Sequence, residues 1–338
     1  MPPISRSIPG PNDAPPLCGR LASVTVVIPT LNEESTLGAC LKAVARQTYP
    51  RIIEILVIDG GSRDRTREVA SSYDAVTLLD NPRRVQAAAL STGLERAIGD
   101  VVIRIDAHSL IADDYVERCV TTLEASGAAM VGGAIDPVTE GGSIQRGITM
   151  AMGSALGVGT ARFHRPGAQA GWVDTVYLGA YRTSAARGVG GYDERFHPNE
   201  DAEFAWRMRA VGGVWFDPSI RSRYIPRTTL AAVGRQFFRY GWGRAHTVSR
   251  HPRSLRARQL AAPLLVLGLV SPRRVWVASA YGVVVLGRCL VTARSDPKGA
   301  VAMGLALPVM HVAWGTGFFA GVASQAGAVV GRSRFVRR

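Results

Sequence analysis

From Gly299 to Gly331 the chain runs for 33 residues without a charged side chain. Few folds accept so long an uncharged run, and the one that accepts it most readily is a helix in or against a lipid bilayer, where about 20 apolar residues suffice to cross. Val275 to Ala293 adds 19 residues of similar character, interrupted by Arg288, which would have to snorkel or face protein. Leu260 to Ser271 is apolar for only 12 residues and reads as an interfacial or re-entrant segment. The competing reading is a buried helical domain of a soluble protein.

The distribution of charge supports the membrane reading. The 338 residues carry a net charge of +14, but residues 1–217 are net −4 and residues 218–338 net +18, almost all of it arginine. A nucleic-acid binder would show a basic face on a soluble domain with exposed aromatics. Here the arginines border apolar runs instead, so a membrane is the expected partner and nucleic acid is not. A hairpin of spans at 275–293 and within 299–331 would keep Arg273, Arg274, Arg332, Arg334, Arg337 and Arg338 on one side. Arg294, Asp296 and Lys298 would lie on the other. The positive-inside rule then puts the tail and the N-terminal region in the cytoplasm.

Residues 1–22 hold six prolines and no periodicity, which predicts a disordered leader, and they lack the apolar stretch of a signal peptide. Cys18, Cys40, Cys119 and Cys289 have no paired spacing, which fits a reducing compartment and no zinc or disulfide framework. With 47% hydrophobic and 20% charged residues, the chain as a whole is not disordered. Strand-like runs at Val24 to Pro29, Ile52 to Ile58, Val76 to Leu79 and Val101 to Ile105 alternate with helical periodicity at Ser35 to Gln47, Arg63 to Ser72 and Val85 to Ala97. That alternation predicts an α/β, Rossmann-like domain, a mostly parallel sheet with helices on both faces. The expected organisation is this domain over 23–250 and a membrane-associated helical region over 251–338.

In such sheets ligands bind at the carboxyl ends of the strands, and those ends are acidic. The first closes in Pro29-Thr30-Leu31-Asn32-Glu33-Glu34, the second in Asp59-Gly60-Gly61-Ser62, and the fourth in Asp106-Ala107-His108. Neither GxxxxGK[ST] nor GxGxxG is present, which removes the main support for an ATPase or a dehydrogenase. In extended geometry Asp106 and His108 share a face and could hold Mg²⁺ or Mn²⁺ jointly with a diphosphate; the plain alternative is a turn aspartate beside a surface histidine. Asp59 could accept from a base or ribose, or simply cap its turn, and Glu33 and Glu34 could simply favour a helix N-terminus. Asn199 to Arg209 reads as a helix with Glu200, Asp201 and Glu203 at its start, where dipole complementarity and an aspartate cap account for two of three acids. A carboxylate there could instead be a general base. Gln236 to Trp242 combines glutamine, arginine and aromatics, suited to sugar stacking and phosphate pairing or to an interfacial anchor.

Taken together these residues resemble family 2 glycosyltransferases of the GT-A fold, from about Val24 to His246. The stretches DNPRRVQAAAL, RIDAH, His164 to Arg182, GGYDERF and FRYGWGR resemble succinoglycan-type, membrane-attached exopolysaccharide glucosyltransferases in particular. The resemblance implies a nucleotide-sugar subsite at Pro29, Thr30, Asn32, Glu33, Asp59, Gly60 and Asp106. Asp106 takes the first place of the DxD-type metal motif, with His108 where the last aspartate usually stands. Asp201 matches the base of the ED motif, with Glu200 beside it. Gln236, Arg239 and Tyr240 match a QxxR[WY] pattern near acceptor and diphosphate, and Trp172 and Tyr181 fall in the stretch expected to meet the acceptor.

The same resemblance implies an inverting hexose transfer from a nucleotide-sugar, UDP-glucose foremost, to a lipid-linked saccharide at the cytoplasmic membrane, with a divalent metal as cofactor. A polyprenyl-phosphate sugar synthase shares the donor fold, but the long segment from Gly141 to Tyr181 favours a saccharide acceptor. A silent scaffold of a polysaccharide assembly complex would have no need of Asp59, Asp106 and Asp201 together.

Overall fold

The computed structural model describes residues 21–138, 141–158, 161–196 and 198–335, with side chains to residue 326. The expected leader lies almost wholly outside them, as do Arg337 and Arg338, and the side chains of Arg332 and Arg334 are not among those described. The chain forms two compact units, 21–136 with 167–224, and 137–166 with 225–335. The helical unit therefore starts at Ile225 and takes in an earlier insertion, where the sequence pattern predicts a boundary at 250.

The first unit begins with the anticipated alternation. It runs β1 (Val24–Thr30), α1 (Leu37–Ala45), β2 (Ile52–Asp59), α2 (Thr66–Ser71), β3 (Val76–Asp80), α3 (Gln86–Arg96) and β4 (Val101–Arg104). It continues with β5 (Leu110–Ile111), α4 (Tyr115–Ser126) and β6 (Met130–Pro137). The insertion helix α5 (Ser143–Gly153) belongs to the second unit, and the first resumes with β7 (Gly171–Trp172), β8 (Tyr177–Arg182), α6 (Thr183–Gly188), α7 (Glu200–Met208) and β9 (Val214–Tyr224). The strands join in one sheet, ordered β3-β2-β1-β4-β8-β6-β9-β5, with β7 against β9.

β1 to β4 pair in parallel, whereas β4–β8, β6–β8, β5–β9 and β7–β9 are antiparallel. The sheet is thus mixed. Its parallel half has the continuous β-branched and aliphatic runs of strands buried on both faces: Val26, Ile28, Val57 and Ile103 have no exposed surface. Helix α3 lies so close to β1 that a Cβ on Gly93 would stand 2.4 Å from Val27 Cγ1, so only glycine permits this packing. β9 runs on to Tyr224, with Ile220 and Ser222 turned inward within the sheet while Arg221 and Arg223 face out.

The second unit is all helical: α5, α8 (Leu230–Arg250), α9 (Ala261–Val270), α10 (Arg274–Ala293) and α11 (Pro297–Phe335). The Gln236 to Trp242 segment is the middle of α8, whose buried Val233, Phe237, Gly241 and Ala245 recur every fourth residue. They pack on α11. A Cβ at Gly241 would come 2.0 Å from the Trp314 carbonyl oxygen, so small residues set the distance between these helices. The uncharged run is part of one 39-residue helix with Pro308 inside it. Ile148 and Met152 of α5 join Met303, Leu307 and Met310 of α11 in a common core, and Arg146 Nε pairs with Asp296 Oδ2 at 3.0 Å beside the α10–α11 turn. His311 Nε2 donates to the Leu156 carbonyl (2.7 Å), so its Nδ1 accepts from Tyr281 Oη (2.7 Å).

α10 and α11 are both long and apolar enough to cross a membrane. α10 is almost entirely exposed, with Val283, Leu286 and Leu290 more than half accessible, and its 20 residues measure about 30 Å, the thickness of a hydrocarbon core. α9 is shorter and partly covered, with Pro263 buried and Leu264, Leu267 and Val270 exposed.

Candidate active site

Chain order makes a switch point beside β1, because β2 and β3 lie to one side of it and β4 to the other. The loops leaving β1 and β4 diverge there and open a crevice at their carboxyl ends. Both loops are among those marked by the sequence.

On the β1 side, Asn32 adopts φ 56°. Its N–H donates to Ser62 Oγ (2.8 Å), its Oδ1 accepts from the Arg63 N–H (2.9 Å), and the Glu33 N–H donates to Thr66 Oγ1 (2.7 Å). These bonds lace the loop after β1 to the loop after β2. Pro29 is half-buried, Thr30 is buried, and the Thr30 carbonyl accepts from the Gly60 N–H at 2.8 Å. Asp59 is buried and accepts from the Gly61 and Ser62 N–H groups (3.0 Å each) and from Arg67 Nη1 (3.1 Å). Burial opposes its ionisation, but the bonds from Ser62, Arg67 and Gly61 outweigh that and hold the carboxyl below its ordinary range. Its carboxylate shapes the turn and anchors Arg67, which also reaches Asp80 at 2.7 Å. Arg67 is thereby fixed at the strand ends, a cation that the motifs alone do not single out.

On the β4 side the strand stops at Arg104 and the chain turns, with the Ser109 N–H donating back to the Asp106 carbonyl at 2.8 Å. Asp106 and His108 therefore do not leave an extended strand on one face, as the sequence suggested. Asp106 points inward and takes both arms of Arg104, Nε to Oδ1 at 2.8 Å and Nη2 to Oδ2 at 3.3 Å, with both residues buried. His108 turns outward, its Nδ1 3.1 Å from Glu33 Oε1, and so bridges the two loops across the switch point. Burial raises the Glu33 carboxyl, but the His108 and Thr36 hydrogen bonds more than compensate and hold it below its usual value.

The third wall is the start of α7. Asn199, at φ 107°, occupies the cap position and its side chain makes no capping hydrogen bond, so the cap is not the expected aspartate. Glu200 is buried and Oε2 accepts the Asn199 N–H at 3.1 Å. Glu203 is tied to Arg207 by two bonds of 2.8 and 2.6 Å. Asp201 is raised above its ordinary range, first by burial and then by the neighbouring Glu200 charge, with Arg104 pulling the other way. Between the walls sits the Gln86 carboxamide. With its oxygen accepting from Arg104 Nη2 (2.8 Å) and its nitrogen donating to Glu200 Oε1 (3.1 Å), it satisfies both neighbours. Arg104, Asp106, Glu200 and Asp201 thus form one electrostatic cluster around a buried guanidinium.

The remaining sequence-marked residues separate. Trp172 is 56% exposed and edges onto Trp215 at 5.0 Å, an aromatic surface open to a ligand. Tyr181 differs from expectation: it pairs with Val102 in the sheet, has no exposed surface, and its ring packs on Phe204 at 5.1 Å, so it is a core residue and not an acceptor contact. In the helical unit Gln236 Nε2 donates to Tyr240 Oη at 2.8 Å, and Arg239 and Tyr240 face outward from α8. Arg104 and Gln86 lie inside the RIDAH and DNPRRVQAAAL stretches, but the sequence assigns neither of them a role. The available clue was an arginine two residues before Asp106 in an otherwise apolar strand, since a buried cation requires a partner on its own face.

Among the described residues no three His, Cys, Asp or Glu side chains converge to hold a metal ion. The carboxylate of Asp106 and the imidazole of His108 are donor types that suit an ion completing its shell with substrate phosphates, but here Asp106 is engaged by Arg104 and His108 by Glu33.

The Glycosyl transferase family 2 model matches residues 25–176, and the Glycosyl transferase family group 2 model matches residues 101–314. Succinoglycan biosynthesis protein ExoA of Rhizobium meliloti (strain 1021) is 35% identical over 316 residues, 88% of this chain and 94% of that protein. A Methanococcus voltae protein, dolichyl N-acetyl-alpha-D-glucosaminyl phosphate 3-beta-D-2,3-diacetamido-2,3-dideoxy-beta-D-glucuronosyltransferase, is 28% identical over 232 residues, 64% of this chain and 71% of its own length. Among solved structures, mannosyltransferase PcManGT from Pyrobaculum calidifontis, in complex with GDP-Man and Mn²⁺, superposes with a TM-score of 0.59 at 20% identity, covering 90% of this chain and 88% of that one. That likeness is one of fold.

Proposed function

Because the chain belongs to glycosyltransferase family 2, we propose that it moves a hexose from a nucleotide-sugar, UDP-glucose foremost, to a hydroxyl of a lipid-linked saccharide, with inversion. The observation that carries this reading is the meeting of Asp106, Glu200 and Asp201 around Arg104 at the switch point. Exopolysaccharide synthesis as the setting draws on the name of the Rhizobium relative, and a lipid-linked acceptor on the name of the Methanococcus one.

In this reading the loops after β1 and β2 hold the nucleotide through Pro29, Thr30, Asn32, Glu33 and the Asp59–Gly60 turn, and Arg67 adds a positive charge beside it. Asp201 receives the proton of the acceptor hydroxyl as that oxygen attacks the anomeric carbon. The bond from this carbon to the diphosphate oxygen breaks as the new one forms, and its electron pair leaves with the nucleoside diphosphate. A raised carboxyl is a better proton acceptor near neutral pH than an ordinary one, which suits burial of Asp201 beside Glu200. One displacement inverts the centre, so an α-linked donor gives a β-linked product. A divalent cation, Mg²⁺ or Mn²⁺, held by Asp106 and His108 together with the donor, would neutralise charge on the leaving diphosphate. Trp172 offers a stacking face to the acceptor sugar, and Gln236, Arg239 and Tyr240 of α8 supply polar contacts for acceptor or diphosphate. The exposed apolar surfaces of α9 and α10 attach the protein to the cytoplasmic membrane, on the cytoplasmic side where nucleotide-sugars are made.

The test is a screen of UDP-, GDP- and dTDP-hexoses with membrane lipid extract, with and without Mn²⁺. Sugar incorporation into lipid from one donor is the expected result. No transfer or donor hydrolysis with any of them would favour a silent scaffold.

A further inference from the structure

The carboxylate assigned to the metal is already occupied by a cation of the chain itself. Arg104 engages both oxygens of Asp106, at 2.8 and 3.3 Å, and the pair is buried. A divalent ion that takes these oxygens must compete with a buried guanidinium that already holds one lone pair on each of them. His108, the other assigned ligand, is engaged with Glu33 at 3.1 Å, and no third acidic, histidine or cysteine side chain among the described residues completes a cage.

We propose that Arg104 is an internal competitor for the metal, a positioning residue that keeps Asp106 closed to a free divalent ion until the nucleotide diphosphate brings its own oxygens to the site. Binding is then ordered by chemistry: the ion alone gains too few ligands to displace a buried, bidentate guanidinium, whereas the ion with a diphosphate gains several at once. Displacement does not strand the guanidinium when the Gln86 amide is turned to satisfy both its ends, since its oxygen then accepts from Arg104 Nη2 at 2.8 Å and its nitrogen donates to Glu200 Oε1 at 3.1 Å. The arrangement joins donor loading on one wall to the carboxylate pair on the other. This inference rests on the assignment of Asp106 to the metal.

The experiment measures Mn²⁺ binding by electron paramagnetic resonance on the full chain in detergent, with and without UDP. Wild-type protein is expected to hold Mn²⁺ only with UDP. R104M, which removes the competing charge at similar length, should bind Mn²⁺ alone on the order of tenfold more tightly or better, and Mn²⁺ should raise its melting temperature but not that of the wild type. R104K, which keeps a cation, should behave like the wild type. Equal Mn²⁺ affinity for wild type and R104M without UDP, or an R104K that matches R104M, overturns the proposal. D106N separates the two claims: undiminished Mn²⁺ binding with UDP in that variant would refute the metal assignment itself.

Discussion

Arg104 Nε stands 2.8 Å from Asp106 Oδ1, both buried at the end of β4, and this ion pair is the hinge of the site. Through Gln86 the same guanidinium reaches Glu200, and its charge acts on Asp201. A buried pair adds little net stability when intact, yet removing one partner costs about 3–5 kcal/mol because the other is left charged and unpaired. Arg104→Ala should therefore lower stability by roughly that amount, read from denaturant unfolding, while Arg104→Ala/Asp106→Ala together should lose less than Arg104→Ala alone.

The pH dependence of transfer should carry the mark of Glu200. A base whose carboxyl is raised loses its working, deprotonated form as pH falls through that raised value, so the acid limb of kcat/KM should lie above the ordinary carboxylate range. Glu200→Gln removes the like charge beside Asp201 and should move the limb to lower pH. An unmoved limb would assign it to another group.

Much of this site could be read from the sequence because strand ends announce themselves: apolar β-branched runs closed by Thr30, Asp59 and Asp106 placed three loops in one crevice. Other features were out of reach for physical reasons. Nothing local in Val214 to Tyr224 says that the strand continues past Phe216, since Ile220 and Ser222 are held in by neighbours distant in sequence. The antiparallel half of the sheet is likewise set by long-range pairing. Tyr181 falls with Trp172 in the stretch that the resemblance assigns to the acceptor, yet β8 is buried on both faces from Leu178 to Tyr181, which takes the ring into the core. Arg104 was visible but silent, since its role depends on Gln86 and Glu200, which only the fold brings near.

Trp172 should serve the acceptor and not the donor. Trp172→Ala is expected to raise the acceptor KM by roughly threefold to tenfold, the value of one aromatic contact, with donor affinity unchanged by calorimetry. An equal loss of donor affinity would place the tryptophan elsewhere.

Membrane attachment should depend on the bare face of α10. Val283→Asp with Leu286→Asp puts two charges on residues that are 70% and 58% exposed, which the folded unit tolerates but a bilayer does not. The variant should shift from the membrane pellet to the soluble fraction on cell fractionation, with its helical signal by circular dichroism retained. Continued sedimentation with membranes would move the attachment to another surface.

The proposed mechanism depends most on Asp201 as the base that receives the acceptor proton. Asp201→Asn keeps the shape of the side chain and removes its basicity. Single-turnover transfer of radiolabelled hexose to lipid, measured beside donor binding on the same protein, should fall by about 10²- to 10⁴-fold with the donor dissociation constant within twofold of wild type. Wild-type turnover in Asp201→Asn would contradict that mechanism.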